Sequence, residues 1–121
     1  MRHLISSIIL LLSFVIGFLF ISCDPDTADY YYEVTGTASK VNVTYSDLFG
    51  GTLQESNKSL PWTSKTFTND SPENRIFAYI SAQNQTNTGT VTVSIYRNGK
   101  MEKTASSTGA YVIASTSYSN K

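Results

Sequence analysis

The side chains best suited to chemistry are few, and they lie unevenly along the chain. The single cysteine is Cys23 and the single histidine is His3, so neither residue type occurs after position 23. The remaining 98 residues of the 121 therefore contain no thiol nucleophile, imidazole base, disulfide or soft-metal ligand set. The reactive group that stands out is a thiol directly after the small residue Ser22, which is suited to covalent attachment of a group to sulfur.

Carboxylates are the remaining candidates for acid–base chemistry. A catalytic pair such as Glu33 with Glu55, or Glu73 with Glu102, would have to converge in a cleft, and nothing in the spacing requires that. We interpret these residues as solvated acids on strand faces or in loops. Serine and threonine are plentiful but have no evident base, and no run of acids has the spacing of a calcium loop. The sequence predicts no catalytic residue, no metal site and no cofactor.

The first segment is typical of export. Residues 4–21 are apolar except for three serines and a glycine, and they follow the basic start Met1-Arg2-His3. The run is longer than the roughly 7–15 residues of a typical signal core and about as long as a minimal membrane helix. Length alone therefore leaves a cleaved signal peptide and a retained membrane anchor as alternatives.

Residues 20–23, with the sequence FISC, resemble the lipobox of bacterial lipoproteins, although Phe20 replaces the usual leucine. The resemblance implies a lipoprotein signal peptide over residues 1–22, cleavage between Ser22 and Cys23, and lipidation of the Cys23 thiol. Each acyl CH₂ buried in a bilayer contributes roughly 0.8 kcal/mol, so two or three chains of the palmitate class would hold the protein on the membrane.

Residues 23–29 are expected to be the lipidated cysteine and a flexible tether, because they contain three acids and a proline and no large apolar side chain. Acids directly after the cysteine resemble the surface-export signals of Bacteroidetes lipoproteins, which favours the outer membrane or cell surface over the inner membrane. Thr27, between Asp26 and Ala28, resembles the Bacteroidetes O-glycosylation pattern. A plain solvated linker is the alternative for both patterns.

Residues 30–121 are predicted to be an all-β domain. Apolar and polar residues alternate with period two, as in Val41, Val43 and Tyr45, and no stretch has helical periodicity. Turn signals separate the strands, and Asn98-Gly99 predicts a type I′ hairpin. We predict an immunoglobulin-like antiparallel β-sandwich of about seven strands, with a central strand at 75–83 covered on both faces. The pattern is counted as seven or eight strands, at about 30–38, 40–46, 52–56, 62–68, 75–83, 90–98, 100–106 and 110–118.

Four aromatic residues are candidates for contact with a partner. Tyr30, Tyr31 and Tyr32 are consecutive, so strand alternation must direct at least one ring outward. Trp62 is the only tryptophan and follows Pro61 at the start of a predicted strand. It either meets a partner or fills the core, and the sequence leaves both alternatives open.

Three pieces of the domain, taken in order, resemble the MmpS family, the small membrane-anchored partners of mycobacterial lipid and siderophore exporters. They are YEVTGTA at 32–38 with VTY at 43–45, LPW at 60–62, and the Asn98-Gly99 hairpin leading to Ala110-Tyr111. The resemblance implies a β-sandwich without catalytic activity that works beside a transporter or other envelope machinery. This chain differs from the family in its lipobox and in the absence of a late cysteine pair.

The net charge of the chain excludes nucleic acid as a partner. Nine basic residues balance nine acidic ones, so the basic surplus that nucleic-acid binding needs is missing. We therefore expect a non-enzymatic bacterial envelope lipoprotein that acts as an interaction or adaptor module for a membrane complex, such as a transporter. The alternative is a surface module that binds a glycan or a lipophilic ligand.

Overall fold

A computed structural model describes residues 27–71 and 73–121, and Ser22 and Cys23 of the predicted processing site lie outside these residues. Within the described part of the chain, nine β-strands form two antiparallel sheets, which confirms the predicted all-β sandwich. The strands are β1 Ala28–Thr35, β2 Val41–Ser46, β3 Thr52–Lys58, β4 Trp62–Thr63, β5 Phe67–Asn69, β6 Phe77–Asn84, β7 Thr90–Arg97, β8 Lys100–Thr108 and β9 Ile113–Ser119.

The chain passes repeatedly between the two sheets. The first sheet has the order β4-β1-β7-β8, with β5 also paired to β1, and the second has the order β3-β2-β6-β9. Two hairpins, β2–β3 and β7–β8, each stay within one sheet. The long-range pairing of β1 with β7 and of β2 with β6 places β1, β7, β2 and β6 at the centres of the sheets.

The core lies between the sheets and follows the period-two pattern of the sequence. Alternate residues of the four central strands point inward and are almost completely buried, which removes their apolar surface from water. These residues are Tyr30, Tyr32 and Val34 of β1, Val41, Val43 and Tyr45 of β2, Ala78, Ile80 and Ala82 of β6, and Val91, Val93 and Ile95 of β7.

The structure corrects three details of the predicted strands. The strand predicted at 62–68 is two short strands, β4 and β5, that pair with the same edge of β1. Strand β1 begins at Ala28, inside the predicted tether, because Ala28 and the following residue pair with β5. Strand β6 is central in its sheet, but it is covered on one face only, and Phe77 on its outer face is 53% exposed.

Two turns have the backbone conformation that their residue types favour. Asn98 and Gly99 have φ values of 51° and 79°, which confirms the predicted type I′ hairpin between β7 and β8. Gly36 after β1 has a φ of 133°, and a Cβ atom there would collide with the carbonyl oxygen of Thr90. That oxygen accepts hydrogen bonds from the backbone N–H groups of Thr37 and Ala38, so the bend is fixed against β7.

The two ends of the sandwich differ in what they carry. We call the end where the described chain begins the near end; it holds Ala28, the Asn98-Gly99 hairpin, and the start of β6 beside the end of β9. Tyr30 of β1 and Tyr118 of β9 pack together there, with 6.2 Å between ring centroids. The opposite, far end carries the Gly36 bend and the turn before β9.

Residues 27–71 and 73–121 include no helix that is both long and apolar enough to span a membrane.

Candidate functional site

The three consecutive tyrosines lie in two different environments. Tyr30 and Tyr32 are 1% and 0% exposed, so both rings belong to the core and are removed from the surface on which a partner contact was predicted. The Tyr32 hydroxyl donates to the Ser46 carbonyl oxygen at 2.9 Å and accepts from the backbone N–H of Tyr79 at 3.3 Å. Burial raises the pKa of Tyr32. Tyr32 therefore joins the first sheet to the second.

Tyr31 points to the outer face of the first sheet, where the register of β1 and β7 places it opposite Tyr96. The two rings stack almost parallel, with centroids 4.7 Å apart and an interplanar angle of 4°. The Tyr96 hydroxyl donates to Glu33 Oε1 at 3.1 Å, which fixes the second ring. Burial, and then the hydrogen bond to the Glu33 carboxylate, raise the pKa of Tyr96.

We call the surface formed by Tyr31, Glu33, Tyr96 and Met101 the tyrosine face. Met101 lies on β8 opposite Tyr96 and is exposed, so it extends the apolar area beyond the two rings. Both rings are half-buried and held by contacts within the domain. A flat aromatic surface whose side chains are already ordered loses little conformational entropy when a partner covers it.

Trp62 is 9% exposed and fills the core, so its ring is also absent from the contact surface. It packs on Tyr45 with 5.2 Å between ring centroids, and its Nε1–H donates to Glu55 Oε1 at 3.3 Å. The Tyr45 hydroxyl donates to the other oxygen of Glu55 at 2.6 Å. Because Trp62 belongs to the first sheet and Glu55 to the second, the Glu55 carboxylate joins the two sheets.

The pKa shifts of Glu55 and Tyr45 agree with a structural role for the Glu55 carboxylate. The hydrogen bond from Tyr45 is the main cause that lowers the pKa of Glu55. Burial, followed by the same hydrogen bond and the Glu55 charge, raises the pKa of Tyr45 to about 12. Lys58 lies 3.4 Å from Glu55 in a partly exposed ion pair. The Glu55 carboxylate is thus held by three side chains, and it occupies a structural position.

A second surface, which the sequence did not predict, is an open cleft of about 410 Å³ at the near end, and we call it the phenylalanine cleft. Phe49 and Phe77 border it and are 57% and 53% exposed. Arg75 is the charged residue among those that line it. The lining residues are Leu48, Phe49, Gly50, Arg75, Ile76, Phe77 and Ser119.

The loop between β2 and β3 positions Phe49. Asp47 Oδ1 accepts the backbone N–H groups of Phe49 at 2.9 Å and Gly51 at 2.8 Å, and these bonds lower the pKa of Asp47. Leu48, with a φ of 85°, has its side chain in the core, whereas the side chain of the next residue is exposed. The backbone N–H of Phe77 donates to the Leu48 carbonyl oxygen at 3.0 Å, which holds β6 beside this loop.

The other predicted positions are placed as follows. Thr27 is the first described residue; it is half-buried and directly precedes β1. Among residues 27–71 and 73–121, no three His, Cys, Asp or Glu side chains are grouped closely enough to hold a metal ion. No protein-family model and no curated protein matches the chain.

Proposed function

We propose that this chain is a non-enzymatic lipoprotein of the bacterial cell envelope that works by binding a membrane-bound protein of an envelope complex, such as a transporter. Acylated Cys23 anchors it, at the outer membrane or cell surface. The sequence supports the anchor, since the only cysteine follows an apolar segment and the small residue Ser22. The MmpS-like segments at 32–38 and 60–62 support the accessory role.

The tyrosine face is the observation that carries this proposal. It combines two stacked tyrosine rings, an exposed methionine and one carboxylate on a flat sheet surface. Aromatic residues and methionine are enriched in protein–protein interfaces relative to the rest of protein surfaces. Tyr31 lies three residues after Ala28, so this face is close to the membrane anchor and accessible to a neighbouring membrane protein.

Site-specific cross-linking in the producing host tests the proposal. A photo-reactive residue replaces Met101 on the tyrosine face or, as a control, Gln54, which is exposed on β3 of the second sheet. We expect the probe at position 101 to capture one envelope protein that the probe at position 54 does not capture. Mass spectrometry of the mature N-terminal peptide reports the acyl chains on Cys23.

A double substitution, Tyr31→Ser with Tyr96→Ser, then removes both stacked rings while the fold is monitored by circular dichroism. The adduct at position 101 is expected to disappear. Capture of the same proteins by both probes, or an adduct that survives the double substitution, would contradict an interface on the tyrosine face.

A second candidate function is the binding of a lipophilic partner at the membrane surface. The phenylalanine cleft favours it, because two large apolar side chains remain exposed beside a concave surface. Ligand sites combine apolar walls with a few placed polar groups, and Arg75 supplies such a group here.

A further inference from the structure

The phenylalanine cleft lies at the end of the domain from which the anchor segment departs. Ala28 pairs with Asn69 of β5, and the Asn74 side chain donates to Asn69 Oδ1 at 3.3 Å. The chain then continues from Asn74 through Arg75 to Phe77, which lines the cleft. Ala28 is thus connected to the phenylalanine cleft through Asn69 and Asn74 at the near end.

The length of chain before β1 limits the distance of the near end from the membrane. Ala28 follows Cys23 by five residues. A fully extended chain spans at most about 3.6 Å per residue, so Ala28 lies within about 18 Å of an acylated Cys23. Whatever the conformation of these residues, the near end stays beside the bilayer.

Two exposed large apolar side chains meet at the phenylalanine cleft. Of the five such side chains among the described residues, Phe49 and Phe77 border the cleft, and Met101 lies on the tyrosine face of the other sheet. The other two, Tyr111 and Ile113, lie at the far end. Phenylalanine side chains are favoured in the interfacial layer of a bilayer, where their apolar surface leaves water.

The loop that borders the phenylalanine cleft carries charges of both signs. Arg75 lines the cleft and can pair with a lipid phosphate, while Asp70 and Glu73 on the same loop offset its charge. The driving force that we infer for docking is burial of the phenylalanine rings.

We propose that the phenylalanine cleft docks on the surface of the bilayer that holds the anchor, with Phe49 and Phe77 inserted in the interfacial layer. This inference rests on the proposed acylation of Cys23, and it names the bilayer as the lipophilic partner. Docking fixes the orientation of the sandwich, so that the tyrosine face is held at a constant distance from the bilayer surface.

Fluorescence quenching by lipid tests the docking. Full-length protein from a host that processes lipoproteins is placed in phosphatidylcholine vesicles with brominated acyl chains. The single tryptophan is moved by combining Trp62→Phe with either Phe49→Trp at the near end or Tyr111→Trp at the far end. Phe49 and Tyr111 are both 57% exposed, so the two positions are matched. Circular dichroism and thermal melting confirm that each variant folds.

We expect the tryptophan at position 49 to have blue-shifted emission and to be quenched several-fold more strongly than the tryptophan at position 111. Adding Phe77→Ser should reduce quenching at position 49, whereas Ile113→Ser should not change it. Equal quenching at both positions, or blue-shifted emission without quenching, would overturn docking on the bilayer.

Mass spectrometry of the N-terminal peptide from the same sample separates the two proposals. Acylated Cys23 with an unquenched tryptophan at position 49 rejects the docking alone and leaves the anchored adaptor intact. An unacylated Cys23 rejects the anchor, and the docking proposal fails with it.

Discussion

Glu55 accepts hydrogen bonds from Tyr45 and Trp62, and its removal is expected to weaken the link between the two sheets. In Glu55→Ala, both donors lose their acceptor. A hydrogen bond to a charged group contributes about 1.5–3 kcal/mol. The Glu55 side chain is 32% exposed, so water replaces part of the loss, and we expect a decrease of about 2 kcal/mol in the free energy of unfolding.

The conservative change separates charge from shape. Glu55→Gln keeps an acceptor oxygen in place but removes the charge, and charge-assisted hydrogen bonds are roughly twice as strong as neutral ones. We expect Glu55→Gln to lower the free energy of unfolding by about 1 kcal/mol. For a domain of this size, 1 kcal/mol lowers Tm by roughly 4–8 °C, so Glu55→Ala should melt roughly 8–16 °C below the unsubstituted protein.

Thermal unfolding of the full-length protein in detergent provides the measurement. Trp62 is the only tryptophan and contacts the affected group, so its fluorescence reports the local change while circular dichroism reports the sheets. Gln54→Ala, on the exposed neighbour of Glu55, is the control and should leave Tm nearly unchanged. If Glu55→Ala has the same Tm as Gln54→Ala, the Glu55 carboxylate does not stabilise the contact between the two sheets.

Two further predictions concern alkaline pH and the bend after β1. The pKa of Tyr45 is raised from near 10 to about 12, so the protonated hydroxyl stabilises the fold fully below pH 10 and loses its contribution as pH rises toward 12. Chemical denaturation across this range should show the decline, and Tyr45→Phe should make it shallower, since Tyr32 and Tyr96 keep their raised pKa values. Gly36→Ala should cost more than 2 kcal/mol, because it adds a collision with Thr90 to an unfavourable φ. Gly99→Ala, where φ is also positive but the space is open, should cost about 1 kcal/mol, and equal costs in urea denaturation would refute the collision.

The fold was predictable because its signals are local. Period-two alternation located the central strands, and Asn98-Gly99 located the hairpin, since residue type alone favours the required positive φ values. The start of β1 was not predictable from composition. Ala28 joins the strand because its backbone pairs with Asn69 of β5, which lies 41 residues later in the chain.

The candidate surfaces depend on contacts between distant segments. Alternation indicates that one of the three tyrosines points outward, but the partner of Tyr31 is Tyr96, and only the register of β1 with β7 brings them together. The phenylalanine cleft combines Phe49 from a loop with Phe77 from β6. For Phe49, the available signal in the sequence was an aromatic residue directly before the glycine pair Gly50-Gly51.

The position of β1 in the middle of its sheet has a mechanical consequence. A force applied at residue 27 in the direction of β1 acts at right angles to the backbone hydrogen bonds that join β1 to β7. Six consecutive residue pairs, from Tyr30↔Arg97 to Thr35↔Thr92, therefore share the load at once, and β4 and β5 brace the other edge. A force perpendicular to the strand would instead separate one pair at a time. The pairing of β1 therefore resists shear at the end of the strand to which the proposed Cys23 anchor is joined.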